Sequence, residues 1–112
     1  MRIKISSDFS KAPGPRYAAE GKHSGQEFRE QILYPKVLDA LKSGVTLTIE
    51  LDGTFGYGTS FLEEAFGGLI RENNLALGDL SSRLEFVSME EPDLITEIMA
   101  YMQQAEAEKK AV

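Results

Sequence analysis

Side chains able to do chemistry are densest between residues 52 and 64. Asp52-Gly53-Thr54-Phe55-Gly56-Tyr57-Gly58-Thr59-Ser60 ends a β-branched run with glycines and hydroxyls, and Glu63-Glu64 follow closely. Glycine lets the backbone turn tightly, and a Ser or Thr at the head of a helix can cap its free amides. Ser60 and Glu63 have capping-box spacing, with Thr59 as the other candidate cap. A helix start also presents amide donors and partial positive charge, which suit an anion or a phosphorylated side chain. The nucleotide fingerprints are incomplete. Phe61 stands where the third glycine of a dinucleotide motif belongs, and no lysine follows Gly58. A nucleotide or phosphate held at residues 58–60 is the alternative functional reading.

The remaining candidates are weaker. His23 is the single histidine and is expected as an exposed loop residue. Asp8, Asp52 and Asp79 have no spacing that fixes a metal site, and Asp52 is expected to form a turn. Glu63-Glu64 and Glu90-Glu91 suit helix starts and lack a partner base. No catalytic set, metal site or cofactor is expected. With no cysteine, disulfides, thiolate metal sites and cysteine nucleophiles are ruled out.

Twelve basic and eighteen acidic side chains give the 112 residues a net charge of −6. Scattered Lys and Arg in an acidic chain argue against nucleic acid as a partner. No apolar run is long enough to span a bilayer, and none follows Arg2 and Lys4 as in a signal peptide, so no membrane partner is expected and a cytoplasmic location is. A 42% hydrophobic and 27% charged composition suits one domain over residues 1–112.

The elements that must position the turn are legible from periodicity. Residues 2–6 alternate as a strand, and residues 1–23 as a whole make a strand plus an irregular segment around Pro13-Gly14-Pro15. Arg16 to Ala19 are a candidate short strand. Ser24-Gly25-Gln26-Glu27 open a helix as a capping box, continued by Phe28, Ile32, Leu33, Val37 and Leu41, with a kink expected at Pro35 and a C-cap at Ser43-Gly44. Val45 to Leu51 alternate as the strongest strand. A helix is expected over residues 60–74, a loop at Gly78-Asp79, a strand at 84–88, and a last helix from Pro92 through Met102 with a frayed tail at 104–112. Strands alternating with helices predict a small α/β sandwich with a mixed or largely parallel sheet of about four strands. Gly67-Gly68 inside a helix each cost about 1 kcal/mol relative to alanine, which close packing or a flat docking face would explain.

The run from Leu47 to Leu69, above all Phe61-Leu62-Glu63-Glu64-Ala65-Phe66-Gly67-Gly68-Leu69, resembles the STAS-like domains of unknown function, small bacterial relatives of the anti-sigma factor antagonists. Residues 24–29 with Ile32 and Leu33 suit the same pattern, and the likeness covers roughly 24–102. The resemblance implies helices packed mainly on one face of the sheet, no catalytic activity and a regulatory protein partner, often a histidine-kinase-like ATPase. In antagonists of the wider superfamily a serine before the matching helix accepts phosphate. Aligning Phe55 places Thr59 at that position and Ser60 next to it, while Tyr57 replaces the acidic residue that normally precedes, with Gly58 between. The expected docking residues are Tyr57, Thr59, Ser60, Glu63, Glu64 and Gly67, with Thr59 and Ser60 as candidate phosphoacceptors. A homodimer through an exposed strand edge is a further reading.

Overall fold

In the computed structural model, which describes residues 1–111, three short strands form one parallel sheet. Strand β1 (Arg2–Lys4) pairs with β2 (Leu47–Glu50), which pairs with β3 (Leu84–Val87). Three strands replace the expected four. Arg16 to Ala19 contribute none, because Ala18–Glu20 close a single 3₁₀ turn in which Glu20 accepts from the Tyr17 amide at 2.9 Å.

The alternation in each strand decides where the helices sit. Ile3, Leu47, Ile49, Leu51 and Leu84 point into the core and Phe86 packs against it. Arg2, Lys4 and Glu85 on the opposite face stay exposed, with Thr48, Glu50 and Val87 half-buried between them. One face of the sheet therefore carries the helices. Val45, read as the first residue of β2, precedes the strand and is exposed.

Strand β1 ends at Lys4, and Ile5 starts a short helix α1 (Ile5–Asp8), where the sequence suggests continued strand. The first long helix runs without a break through α2 (Gly25–Phe28), a π segment π1 (Arg29–Leu33) and α3 (Tyr34–Ser43). Ser24 caps it, its Oγ accepting from the Glu27 amide at 2.9 Å. Pro35 does not break the helix. It lies in the first turn of α3, directly after the wider π turn, where a missing N–H is tolerated. Gly44 closes the helix in the left-handed region at φ 65°.

The second long helix has the same construction: α4 (Thr59–Leu62), π2 (Glu63–Gly67) and α5 (Gly68–Arg71). A further helix, α6 (Leu77–Arg83), occupies the expected loop and anchors through buried Leu80. The last helix, α7 (Asp93–Lys110), extends well into the segment expected to fray, because Met102 and Ala105 continue its buried stripe. No helix of the described residues is long and apolar enough to cross a membrane.

Candidate functional site

The chain leaves β2 at Leu51 and turns through two positive-φ glycines, Gly53 at 93° and Gly56 at 134°. A Cβ at Gly53 would lie 2.8 Å from the Ser6 Oγ as well as being strained. Asp52 forms a turn, as its position suggested, and in doing so ties two loops together. Its carboxylate accepts from the Glu90 and Met89 amides, each at 2.9 Å, and these bonds hold its pKa below the usual carboxylate range. Glu90 reciprocates by accepting from the Gly53 amide at 2.6 Å.

These loops lie beyond the carboxyl ends of β2 and β3, where open parallel sheets commonly place ligands. Asp52, Phe55, Tyr57, Ser88, Glu90 and Leu94 line a cleft of about 230 Å³ there. Phe55, one of its lining residues, is 86% accessible, and Met89, between the lining residues Ser88 and Glu90, is 82% accessible. Tyr57 sits lower. Its hydroxyl donates to the Leu51 carbonyl at 2.7 Å, its ring meets Phe61 at 6.0 Å between centroids, and burial pushes its pKa up to about 12.

Gly58 is the N-cap of α4, and no side chain caps that helix. The capping box expected of Ser60 and Glu63 does not form, nor does Thr59 take the role. Both hydroxyls are exposed, and among the described residues neither makes a hydrogen bond. Glu63 faces instead toward Arg16 and Arg71, with Arg71 Nη1 at 2.6 Å. Partial burial works against ionisation, yet the two guanidiniums hold the Glu63 carboxyl below its ordinary value.

Glu64 and Gly67 correct the sequence reading, because both are buried and neither can touch a docking partner. The Glu64 carboxylate pairs with Arg29 Nη2 at 2.7 Å and with Arg71 Nη2 at 3.2 Å. Arg29 also donates from Nε to the Glu64 carbonyl at 3.2 Å and from Nη1 to Asn73 Oδ1 at 2.9 Å. A Cβ on Gly67 would stand 2.5 Å from the Glu63 Oε2 and 3.6 Å from the Tyr101 carbonyl of α7. On Gly68 it would stand 2.5 Å from the Arg29 Nε. The paired glycines thus admit α7 on one side and a guanidinium on the other, which gives both a packing reason.

His23 is exposed at a φ of 59°, with Nδ1 3.3 Å from the Ser10 hydroxyl. Among the described residues no three His, Asp or Glu side chains gather as a metal site. Sequence reasoning missed Arg29, although a lone charge inside an apolar helical stripe signals a buried partner. It also used Phe55 only for alignment, although an aromatic flanked by turn residues and glycine has little to pack against.

No curated protein and no solved structure matches the chain. The model of one family, described as STAS-like domain of unknown function (DUF4325), matches residues 24–94, from the Ser24 cap through the glycine turn to the first turn of α7, and the chain belongs to that family.

Proposed function

We propose that this chain is a non-enzymatic regulatory module that binds a partner protein, of the histidine-kinase-like ATPase type, through the turn at residues 55–60. One observation carries the reading: Thr59 and Ser60 present two exposed hydroxyls that do no capping, beside an aromatic ring that is 86% accessible. Large exposed apolar side chains on a rigid turn serve as anchors in protein interfaces. Met89 is a second exposed apolar side chain, and the Asp52 bonds fix its loop relative to the turn. Tyr57 and Glu63 support this surface from below, while Glu64 and Gly67 act only through the packing beneath it.

The same place suits a switch. A phosphate on Thr59 adds about −1.5 to −2 charges at the head of a helix, where the dipole favours it. Glu63, one turn on, would oppose that charge, but it is already paired with Arg16 and Arg71. Repulsion of an acidic partner by a chain already at −6 gives the modification an effect on binding.

The test is titration of the purified chain with a histidine-kinase-like ATPase from the same genome, read by calorimetry. Phe55→Asp, at a position that contributes little to the core, is expected to weaken binding at least about tenfold. Unchanged affinity for a folded Phe55→Asp, Thr59→Lys double variant removes the proposal. Intact mass after incubation with ATP and that kinase decides the modification, with Thr59→Ala as control. A thermal-shift screen against nucleotides addresses the anion-binding alternative, since a ligand at a hundred times its Kd adds about 2.7 kcal/mol.

A further inference from the structure

Both outer strands of the sheet are edges, and they are finished differently. The Thr48 amide of β2 donates to the Met1 carbonyl and the Leu51 amide to the Val87 carbonyl. Alternate residues of each outer strand therefore turn their backbone groups toward β2, and the residues between turn them away. On β1 the outward groups are the amides and carbonyls of Arg2 and Lys4. Asp8 Oδ2 takes the Lys4 amide at 2.8 Å, Ser7 Oγ and Lys36 Nζ reach the Lys4 and Arg2 carbonyls at 3.5 Å each, and of the four only the Arg2 amide has no hydrogen bond among the described residues. The strand is three residues long and then coils into α1. Short strands and charged side chains are the usual means of closing an edge.

Strand β3 has no such closure. Glu85 and Val87 face β2, which leaves the Phe86 amide and carbonyl, with the Leu84 carbonyl, pointing outward. Among the described residues no hydrogen bond reaches them. The face beside this edge is the one without helices, where Glu85 is exposed and Val87 half-buried.

We propose that the β3 edge joins two copies of this chain, antiparallel about a twofold axis at Phe86, into one continuous sheet. In that register the Phe86 amide and carbonyl exchange bonds with those of the partner's Phe86, and the Leu84 carbonyl meets the partner's Ser88 amide. Glu85 then stands opposite the partner's Val87, so no carboxylates face each other across the axis. The neighbouring registers are worse. An axis at Glu85 opposes the two Glu85 side chains, and an axis at Val87 needs Met89 extended, whose amide Asp52 holds. A second copy is favoured over a foreign strand because the pairing is self-complementary, while the three-residue β1 edge, with three of its four outward groups already taken, is a poor site for further growth. Two strands of four residues bury little surface, so the dimer is micromolar rather than obligate. Each copy carries −6, so added salt tightens it. Nothing in this inference uses the turn at residues 55–60.

Analytical ultracentrifugation and hydrogen exchange test it together. The wild type is expected to sediment at twice its 12.4 kDa chain mass and to dissociate on dilution, with the Phe86 amide protected only at high concentration. Val87→Glu sets a carboxylate opposite the partner's Glu85 twice over and is expected to weaken the dimer about tenfold. Val87→Lys sets an ammonium there and is expected to hold or tighten it. Monomers at every concentration, a Phe86 amide whose exchange ignores concentration, or a dimer that both variants leave unchanged or change in the same direction each overturn the proposal. The exchange measurement stands even where a variant fails to fold.

Discussion

Arg29 Nη2 lies 2.7 Å from Glu64 Oε2, and both side chains are at least 96% buried. Their helices lie far apart in sequence, and each residue falls in the π segment of its own helix. The guanidinium completes its set by donating to the Glu64 carbonyl and to Asn73, so a buried charge is paired and hydrogen-bonded on several sides. Arg71 and Arg16 extend the network outward through Glu63, from the interior to the surface below the turn.

Removing the carboxylate leaves the Arg29 guanidinium uncompensated in the core, whereas removing Arg29 leaves Glu64 its second partner, Arg71. Glu64→Gln is expected to destabilise the fold by about 3–5 kcal/mol in urea unfolding, and Arg29→Met by less. Replacing both, Arg29→Met with Glu64→Leu, is expected to recover most of that loss, since apolar replacements of buried pairs are often neutral. A double variant as unstable as the singles refutes a pairwise origin.

The two kinds of glycine separate in the same assay. Gly68→Ala drives a methyl into the Arg29 guanidinium and is expected to cost about 1–3 kcal/mol. Gly78→Ala, in α6 with nothing within 4 Å of its Cβ, is expected to stabilise by about 0.5–1 kcal/mol.

Tyr57 makes the fold sensitive to alkali. Its hydroxyl titrates near 12 against about 10 in an unfolded chain, so the folded state favours the protonated form. The contribution is complete below pH ~10 and disappears as pH rises toward 12. Spectrophotometric titration is expected to show one phenol near 12 that Tyr57→Phe removes, with a loss of about 0.5–1.5 kcal/mol at neutral pH for the bond to Leu51.

Asp52 acts at the opposite end of the scale. Its pKa is lowered in the fold, so its contribution is present above the ordinary carboxylate value and is lost as pH falls through the folded one. The Met89 and Glu90 amides are expected to lose protection, relative to their intrinsic exchange rates, in acid, and Asp52→Asn is expected to flatten that pH dependence. Exchange rates for these amides that ignore pH beyond the intrinsic rate would contradict the clamp.

Much of the architecture is legible before any coordinates. The alternation at 45–51, the Ser24 cap and the apolar stripe from Phe61 to Ile70 place β2 and both long helices, because each depends on local spacing. What escapes is set at long range. Gly78 and Asp79 suggest a loop, but Leu80 gains enough burial to hold a helix there. The six docking candidates share a segment, yet a π turn rotates Glu64 and Gly67 inward while Thr59 and Ser60 stay outside. Ion pairs between residues 29 and 64 leave only a single buried-looking arginine as their trace.

A π turn is one surplus residue absorbed without breaking a helix, and the surplus here falls within Arg29–Leu33 in one helix and within Glu63–Gly67 in the other. Excising a residue from either would restore ordinary winding and swing everything beyond it by roughly 100°. The guanidinium and the carboxylate would then look past each other. The two insertions are matched halves of a lock, and the lengths of both helices can change only in concert.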